Sequence, residues 1–141
     1  MIKLSDYVVS FLKEKGVSHI FMITGGGSMH LNDSIGQEKS IKFICNHHEQ
    51  ASAIAAESYA RMTNKIGVCQ VTTGPGSTNT LTGLIGGWLD SIPMLIISGQ
   101  VKTTTSLYKV PSTRQIGIQE INIIDMVKPV TKYAVPILDA N

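Results

Sequence analysis

The sequence predicts an α/β fold: a doubly wound, mostly parallel sheet of about five strands with helices on both faces. Short apolar runs alternate with helical periodicities, and glycine-marked turns follow two of the runs. The 141 residues are 43% hydrophobic and only 16% charged, enough apolar material for one domain with a real core. Strands alternating with helices at this spacing imply parallel pairing through right-handed crossovers.

Ser5-Asp6 precedes Tyr7, Val8, Phe11 and Leu12, which share one helical face, and Gly16 supplies a stop, so a helix is predicted over 5–15. Residues 19–23 are an apolar run too short for a helix. They end in Thr24-Gly25-Gly26-Gly27-Ser28, which reads as a buried strand entering a glycine turn and a helix start. The pattern then repeats as strand 41–45 with helix 46–62, and as strand 66–71 with turn 73–77 and a helix to residue 89. Residues 94–98 form the fourth strand. From 99 to 117 periodicity fails, with three consecutive threonines and Pro111, which predicts a long loop over the sheet rim. Residues 121–128 fit a short helix broken by Pro129, and 131–137 alternate as a fifth strand. A doubly wound domain seldom ends directly after a strand, so residues 1–141 are expected to be one domain cut at its C-terminus.

The net charge of +2 comes from 12 basic and 10 acidic residues without a block of either sign, so neither nucleic acid nor a membrane surface is an expected partner. Cys45 and Cys69 fall in strand-like runs and suit neither a metal cluster nor a disulfide framework. With no apolar stretch of signal or membrane-spanning length, a cytoplasmic location is expected.

The main candidate is Glu49, at the head of an alanine-rich helix, because ligands of parallel α/β sheets collect at the rim where strands give way to helices. Two readings stand side by side. Asn46 could cap the helix while Glu49 reaches back as a capping box, or Glu49 could act as a general acid/base in a sheltered rim cleft. Composition does not choose between them. His47 and His48 are adjacent, about 100 degrees apart on a helix, and cannot chelate one metal as an i, i+4 pair could. Glu57 is two turns further on, roughly 12 Å away, and reads as solvated or salt-bridged.

Gly25, Gly26 and Gly27 could cradle a phosphate, yet a dinucleotide fingerprint needs a glycine where His30 stands, and neither turn continues into a P-loop. Gly74-Pro75-Gly76 is a rigid turn whose amides could lie near a ligand. In the helix that follows, Leu81, Leu84, Ile85, Trp88 and Leu89 are predicted to face the core. Gly83, Gly86 and Gly87 each cost about 1 kcal/mol against alanine, which suggests a close contact with another backbone or a partner subunit. Gln119-Glu120 could hydrogen-bond a substrate or simply be exposed.

Six motifs in order, His48-Glu49-Gln50-Ala51 with Tyr59-Ala60-Arg61, Thr73-Gly74-Pro75-Gly76 with Asn79, Asp90-Ser91-Ile92-Pro93, Ser98-Gly99-Gln100, Gln119-Glu120 and Lys128-Pro129-Val130-Thr131-Lys132, resemble the N-terminal pyrimidine-binding domain of thiamine diphosphate enzymes of the acetolactate synthase type. The resemblance spans nearly the whole chain. It implies an enzyme of three domains, with the cofactor held between the first domain of one subunit and the last of another, and hence a homodimer or higher oligomer. Glu49 then matches the glutamate that hydrogen-bonds the aminopyrimidine ring and favours the imino tautomer, whose nitrogen takes the thiazolium proton. A 2-oxo acid is decarboxylated and its acyl-anion equivalent passes to a second carbonyl compound. Gly25, Thr73, Gly74, Pro75, Gly76 and Asn79 fall on cofactor-binding turns, and Gln119 and His48 fall near the reacting centre. No metal site is expected here: Mg2+ is assigned to the absent C-terminal domain, and the absent middle domain leaves room for FAD.

Two departures bear on the substrate. Ile118 stands where phenylalanine is common, and the first turn lacks a common proline. Residues 102–113 hold no histidine, whereas the family's pyruvate decarboxylases carry an adjacent pair there, which argues against simple decarboxylation to an aldehyde. The alternatives are a decarboxylase or lyase of another 2-oxo acid or acyl thioester, and a non-catalytic assembly module. The isolated 141 residues are expected to be inactive.

Overall fold

The structure, a computed structural model, describes residues 2–110 and 112–139; Pro111 of the predicted rim loop and the predicted cut at Asn141 lie outside the described residues. Four parallel strands, β1 (His19–Met22), β2 (Lys42–Cys45), β3 (Gly67–Val71) and β4 (Met94–Ser98), form one sheet in the order β2-β1-β3-β4. The helices are α1 (Leu4–Glu14), α2 (Met29–Gln37), α3 (Glu49–Thr63), α4 (Pro75–Thr78), α5 (Leu81–Leu89) and α6 (Ile123–Val127).

Side-chain alternation along the strands divides the core in two. Ile20, Met22 and Val68 pack with Val9 and Leu12 of α1 and Ile35 of α2 on one face. Phe21, Cys69 and Val71 pack with Ala53 and Ala56 of α3 on the other. The alanines bring α3 down onto the sheet: a Cβ on Gly67 would stand 2.0 Å from the Ala56 carbonyl oxygen. At the end of α1, Gly16 takes φ 77° and the Val17 N–H returns to the Leu12 carbonyl, the stop that the sequence signals.

The fifth strand does not form. Residues 131–137 join no ladder, so the sheet has four strands rather than about five. Alternation signals two unlike sides but cannot supply a partner edge. This stretch leaves a 3-10 turn, Lys128–Val130, with Tyr133 80% and Ile137 69% exposed, and Pro136 brings no N–H to a ladder.

A second correction concerns α5. The predicted apolar core stripe holds only in part: Leu81 and Leu84 are half-buried, but Gly83 and Gly87 form the buried face, whereas Ile85, Trp88 and Leu89 are exposed, Leu89 by 74%. Contact distance decides this. A Cβ on Gly83 would lie 2.6 Å from the Ala53 Cβ, and one on Gly87 would lie 2.3 Å from the Met94 sulfur, so only the glycine face can approach α3 and β4. Around Gly86 the space is open. Arg61 completes the α3–α5 pairing by bonding Glu57 and Asp90, which places Glu57 in an ion pair.

Candidate functional site

The sheet order reverses between β1 and β3, because β2 leaves β1 on one side and β3 on the other. At such a switch point the two following turns part and leave a crevice. Here those turns are the glycine run after β1 and the Thr72–Gly76 turn after β3. They meet at the crevice floor, where the Gly27 N–H donates to Thr72 Oγ1 at 3.1 Å. A Cβ on Gly25 would fall 2.5 Å from the Thr72 Cβ.

Glu49 is the first residue of α3, and its helix is not capped as the sequence suggested. His48 is the N-cap, its Nδ1 accepting from the Gln50 N–H at 3.1 Å. Asn46 instead donates to Ser52 Oγ at 3.0 Å. The capping box therefore does not form, and the Glu49 carboxylate turns away from its own helix. Half-buried, it accepts a hydrogen bond at Oε2 from the Asn79 amide at 2.9 Å. Its other oxygen faces Gly76, where a Cβ would stand 3.5 Å away.

Beneath this carboxylate lies Cys69, fully buried in β3. Burial, with a smaller contribution from the Glu49 charge, pushes its thiol from 9.0 up to about 12. The folded chain thus keeps a proton that the unfolded chain releases above about 9, and this contribution to stability is present below pH 9 and erodes as pH rises towards 12. Near pH 8 a thiol reagent should titrate exposed Cys45 in the native chain and Cys69 only after denaturation, since the thiolate is the reactive form. Two equally fast native thiols would contradict that placement.

The turn 72–76 is tied to the rest of the rim. Thr73 Oγ1 donates to Gln100 Oε1 at 3.0 Å, and the Val101 N–H donates to the same oxygen at 2.8 Å. The Gln100 N–H reaches the Gly27 carbonyl at 3.1 Å, so one glutamine joins three turns. Gly74 takes φ 63° and Pro75 opens α4. Against Gly74 lies the Gln119 carbonyl, 1.7 Å from where a Cβ would be.

Glu49, Gly76, Asn79, Thr73, Gly74 and Gln119 thus share one rim, with Gly25 at its floor and His48 at its edge. Three features were not singled out from sequence: Thr72, the junction at Gln100, and the burial of Glu120. Each depends on contacts across more than ten residues, which local pattern does not register.

Residues 2–126 match the family described as thiamine pyrophosphate enzyme, N-terminal TPP binding domain; pyrophosphate and diphosphate name the same cofactor. The acetolactate synthase large subunit of Buchnera aphidicola subsp. Schizaphis graminum is 37% identical over 130 residues, 92% of this chain and 22% of that protein. The large subunit from Lactococcus lactis is 39% identical over 129 residues, covering 92% and 21%. The chloroplastic acetolactate synthase of Arabidopsis thaliana is 36% identical over 140 residues, covering 97% and 19%. The chain spans about a fifth of the length of these curated relatives. With its sheet, its glycine turns and its residues from 2 to 126 in agreement, this chain belongs to the family of N-terminal TPP-binding domains of thiamine pyrophosphate enzymes.

Proposed function

We propose that this domain serves an acetolactate-synthase-like enzyme that decarboxylates a 2-oxo acid and transfers the acyl-anion equivalent to a second carbonyl compound. The observation that carries it is the Glu49 carboxylate, steadied by Asn79 and open towards the glycine floor at Gly76. Those residues fit the aminopyrimidine half of thiamine diphosphate: one carboxylate oxygen is held and the other is available, and a side chain at residue 76 would crowd it. When bound, the cofactor supplies the carbon nucleophile and the electron sink.

Glu49 holds or gives a proton at Oε1, towards the ring nitrogen. Asn79 fixes the plane of the carboxylate, which matters because proton transfer needs hydrogen-bond reach. The turns carrying Gly25, Thr73, Gly74 and Pro75 would hold the ring, and Gln119 and His48 would face the substrate. The diphosphate and Mg2+ belong in this reading to the enzyme's C-terminal domain, and FAD, where used, to its middle domain. Among the described residues no helix is long and apolar enough to cross a membrane, and a cytoplasmic location is part of this proposal.

The relatives named above, each an acetolactate synthase, favour carboligation over the alternatives. Substrate profiling of the full-length protein tests this: a 2-oxo acid should yield carbon dioxide together with a condensed hydroxy-oxo acid. Aldehyde as sole product, or cleavage of an acyl thioester, would select the lyase reading instead. No turnover with any 2-oxo acid would leave the assembly module.

A second subunit is the proposed cover for α5, since Ile85, Trp88 and Leu89 are exposed there beside the open surface at Gly86, and contiguous apolar surface marks interaction sites. Leu89→Asp should shift the full-length protein towards smaller species in sedimentation. An unchanged oligomer would remove α5 from the interface.

A further inference from the structure

The loop from Gly99 to Glu120 ends in a buried carboxylate that the cofactor reading does not use. Glu120 is 7% exposed. Its Oε1 accepts from Ser106 Oγ at 3.0 Å and from the Leu107 N–H at 2.8 Å, while Oε2 is enclosed without a partner. No cation pairs with Glu120 among the described ion pairs. A half-satisfied buried carboxylate is an unfavourable way to close a loop, so its placement calls for a reason beyond closure.

The reason lies in what Glu120 holds on either side. Ser106 is 1% exposed and also accepts from the Tyr108 N–H at 3.3 Å. On the other side the Glu120 N–H returns to the Gly117 carbonyl at 3.3 Å. That tight turn puts Gln119 at φ 59°, a conformation that a non-glycine residue keeps only where its surroundings enforce it. In that conformation the Gln119 carbonyl sits on Gly74, at the start of the turn that also carries Gly76 beside Glu49. Ser106, Glu120, Gln119 and Gly74 therefore form one continuous chain of contacts from the loop to the rim.

We propose that Glu120 is a positioning residue: its Oε1 latches the 106–107 turn, holds Gln119 in its strained conformation, and so fixes the loop and the Gln119 side chain at the mouth of the crevice. The part assigned to Gln119 rests on the cofactor reading; the latch itself does not. Because both hydrogen bonds use one oxygen, a glutamine amide can keep them, whereas alanine cannot.

The test compares Glu120→Gln, Glu120→Ala and Ser106→Ala in the full-length protein. Limited trypsin digestion reads the latch directly, since exposed Lys102, Lys109 and Arg114 all lie in the loop. Glu120→Ala should be cut there roughly tenfold faster than wild type, Ser106→Ala by an intermediate factor, and Glu120→Gln at the wild-type rate. In parallel, kcat/KM for the 2-oxo acid should fall roughly tenfold in Glu120→Ala and recover in Glu120→Gln, with thermal midpoint and thiamine diphosphate affinity unchanged. Unaltered cleavage and kinetics in Glu120→Ala overturn the latch, and so does a Glu120→Gln that fails as badly as alanine. Loss of melting temperature and cofactor affinity in step with activity overturns it as well, by making the role purely structural. Faster cleavage in a protein that turns over no 2-oxo acid upholds the latch and overturns only the enzymatic reading.

Discussion

Glu49→Gln in the full-length protein is expected to lower turnover of the 2-oxo acid by roughly two to four orders of magnitude, the usual span for a positioned acid/base group. The exchange keeps the size of the side chain and an oxygen able to accept from Asn79, so the 2.9 Å contact can survive. What it removes is a group able to give and retake a proton at the ring. Exchange of the thiazolium C2 hydrogen with deuterated solvent, followed by NMR on cofactor-loaded protein, should slow in parallel, while cofactor affinity changes by less than about tenfold because uniform binding contacts remain. Fast C2 exchange in the variant would take Glu49 out of the mechanism and leave it as a polar residue at a helix start.

Asn79 refines the same expectation. Asn79→Ala leaves the acid in place but frees its plane, so its loss should be smaller than that of Glu49→Gln. A larger loss would mean that the amide itself meets the reacting atoms.

The parts of this site legible in the sequence were those written locally. Strand and helix periods placed β1 to β4, and glycine-marked turns placed both sides of the crevice, because a residue with free φ announces itself wherever the chain turns sharply. Glu49 is legible as an acid at a strand–helix junction, but spacing alone favours a capping box that does not form, and the residue that holds its carboxylate, Asn79, lies thirty residues away. The cap differs from the one the sequence suggests for a related reason. Asn46 is the better capping residue by type, but its amide donates to Ser52 while the helix starts only at Glu49, so His48, the residue directly before it, takes the cap.

The buried face of α5 teaches the opposite lesson. Hydrophobic periodicity assumes that bulk seeks the interior, whereas α5 lies so close to α3 that only hydrogen atoms fit at Gly83. Close approach is legible from the helical glycines and is found at Gly83 and Gly87, though not at Gly86; which face approaches is not legible, since both faces have a claim. The stretch 131–137 carries a strand pattern yet pairs with neither edge strand, β2 or β4, because alternation records two unlike sides and not where the segment runs in space.

Gly74→Ala should be the most damaging single methyl group at the rim. Gly74 has φ 63° and ψ −123°, a region that a side chain enters only with strain of about 1–3 kcal/mol. The added Cβ would also lie 1.7 Å from the Gln119 carbonyl oxygen and 2.8 Å from its carbon. No rotamer relieves a clash between a Cβ and a backbone, so the turn or the loop must move, at a further cost of about 1–3 kcal/mol. The sum, on the order of 2–6 kcal/mol, should appear as a lowered denaturation midpoint in urea with an unchanged slope. Gly76→Ala provides the contrast. Its Cβ would press on the Thr72 methyl at 2.7 Å and approach Glu49 Oε1 at 3.5 Å, in a backbone that alanine can adopt. It should therefore lose cofactor affinity well before it loses stability. If Gly74→Ala melts like wild type while Gly76→Ala unfolds, the turn is held by something other than its contact with Gln119, and the account of the rim as two glycine turns braced by one loop fails.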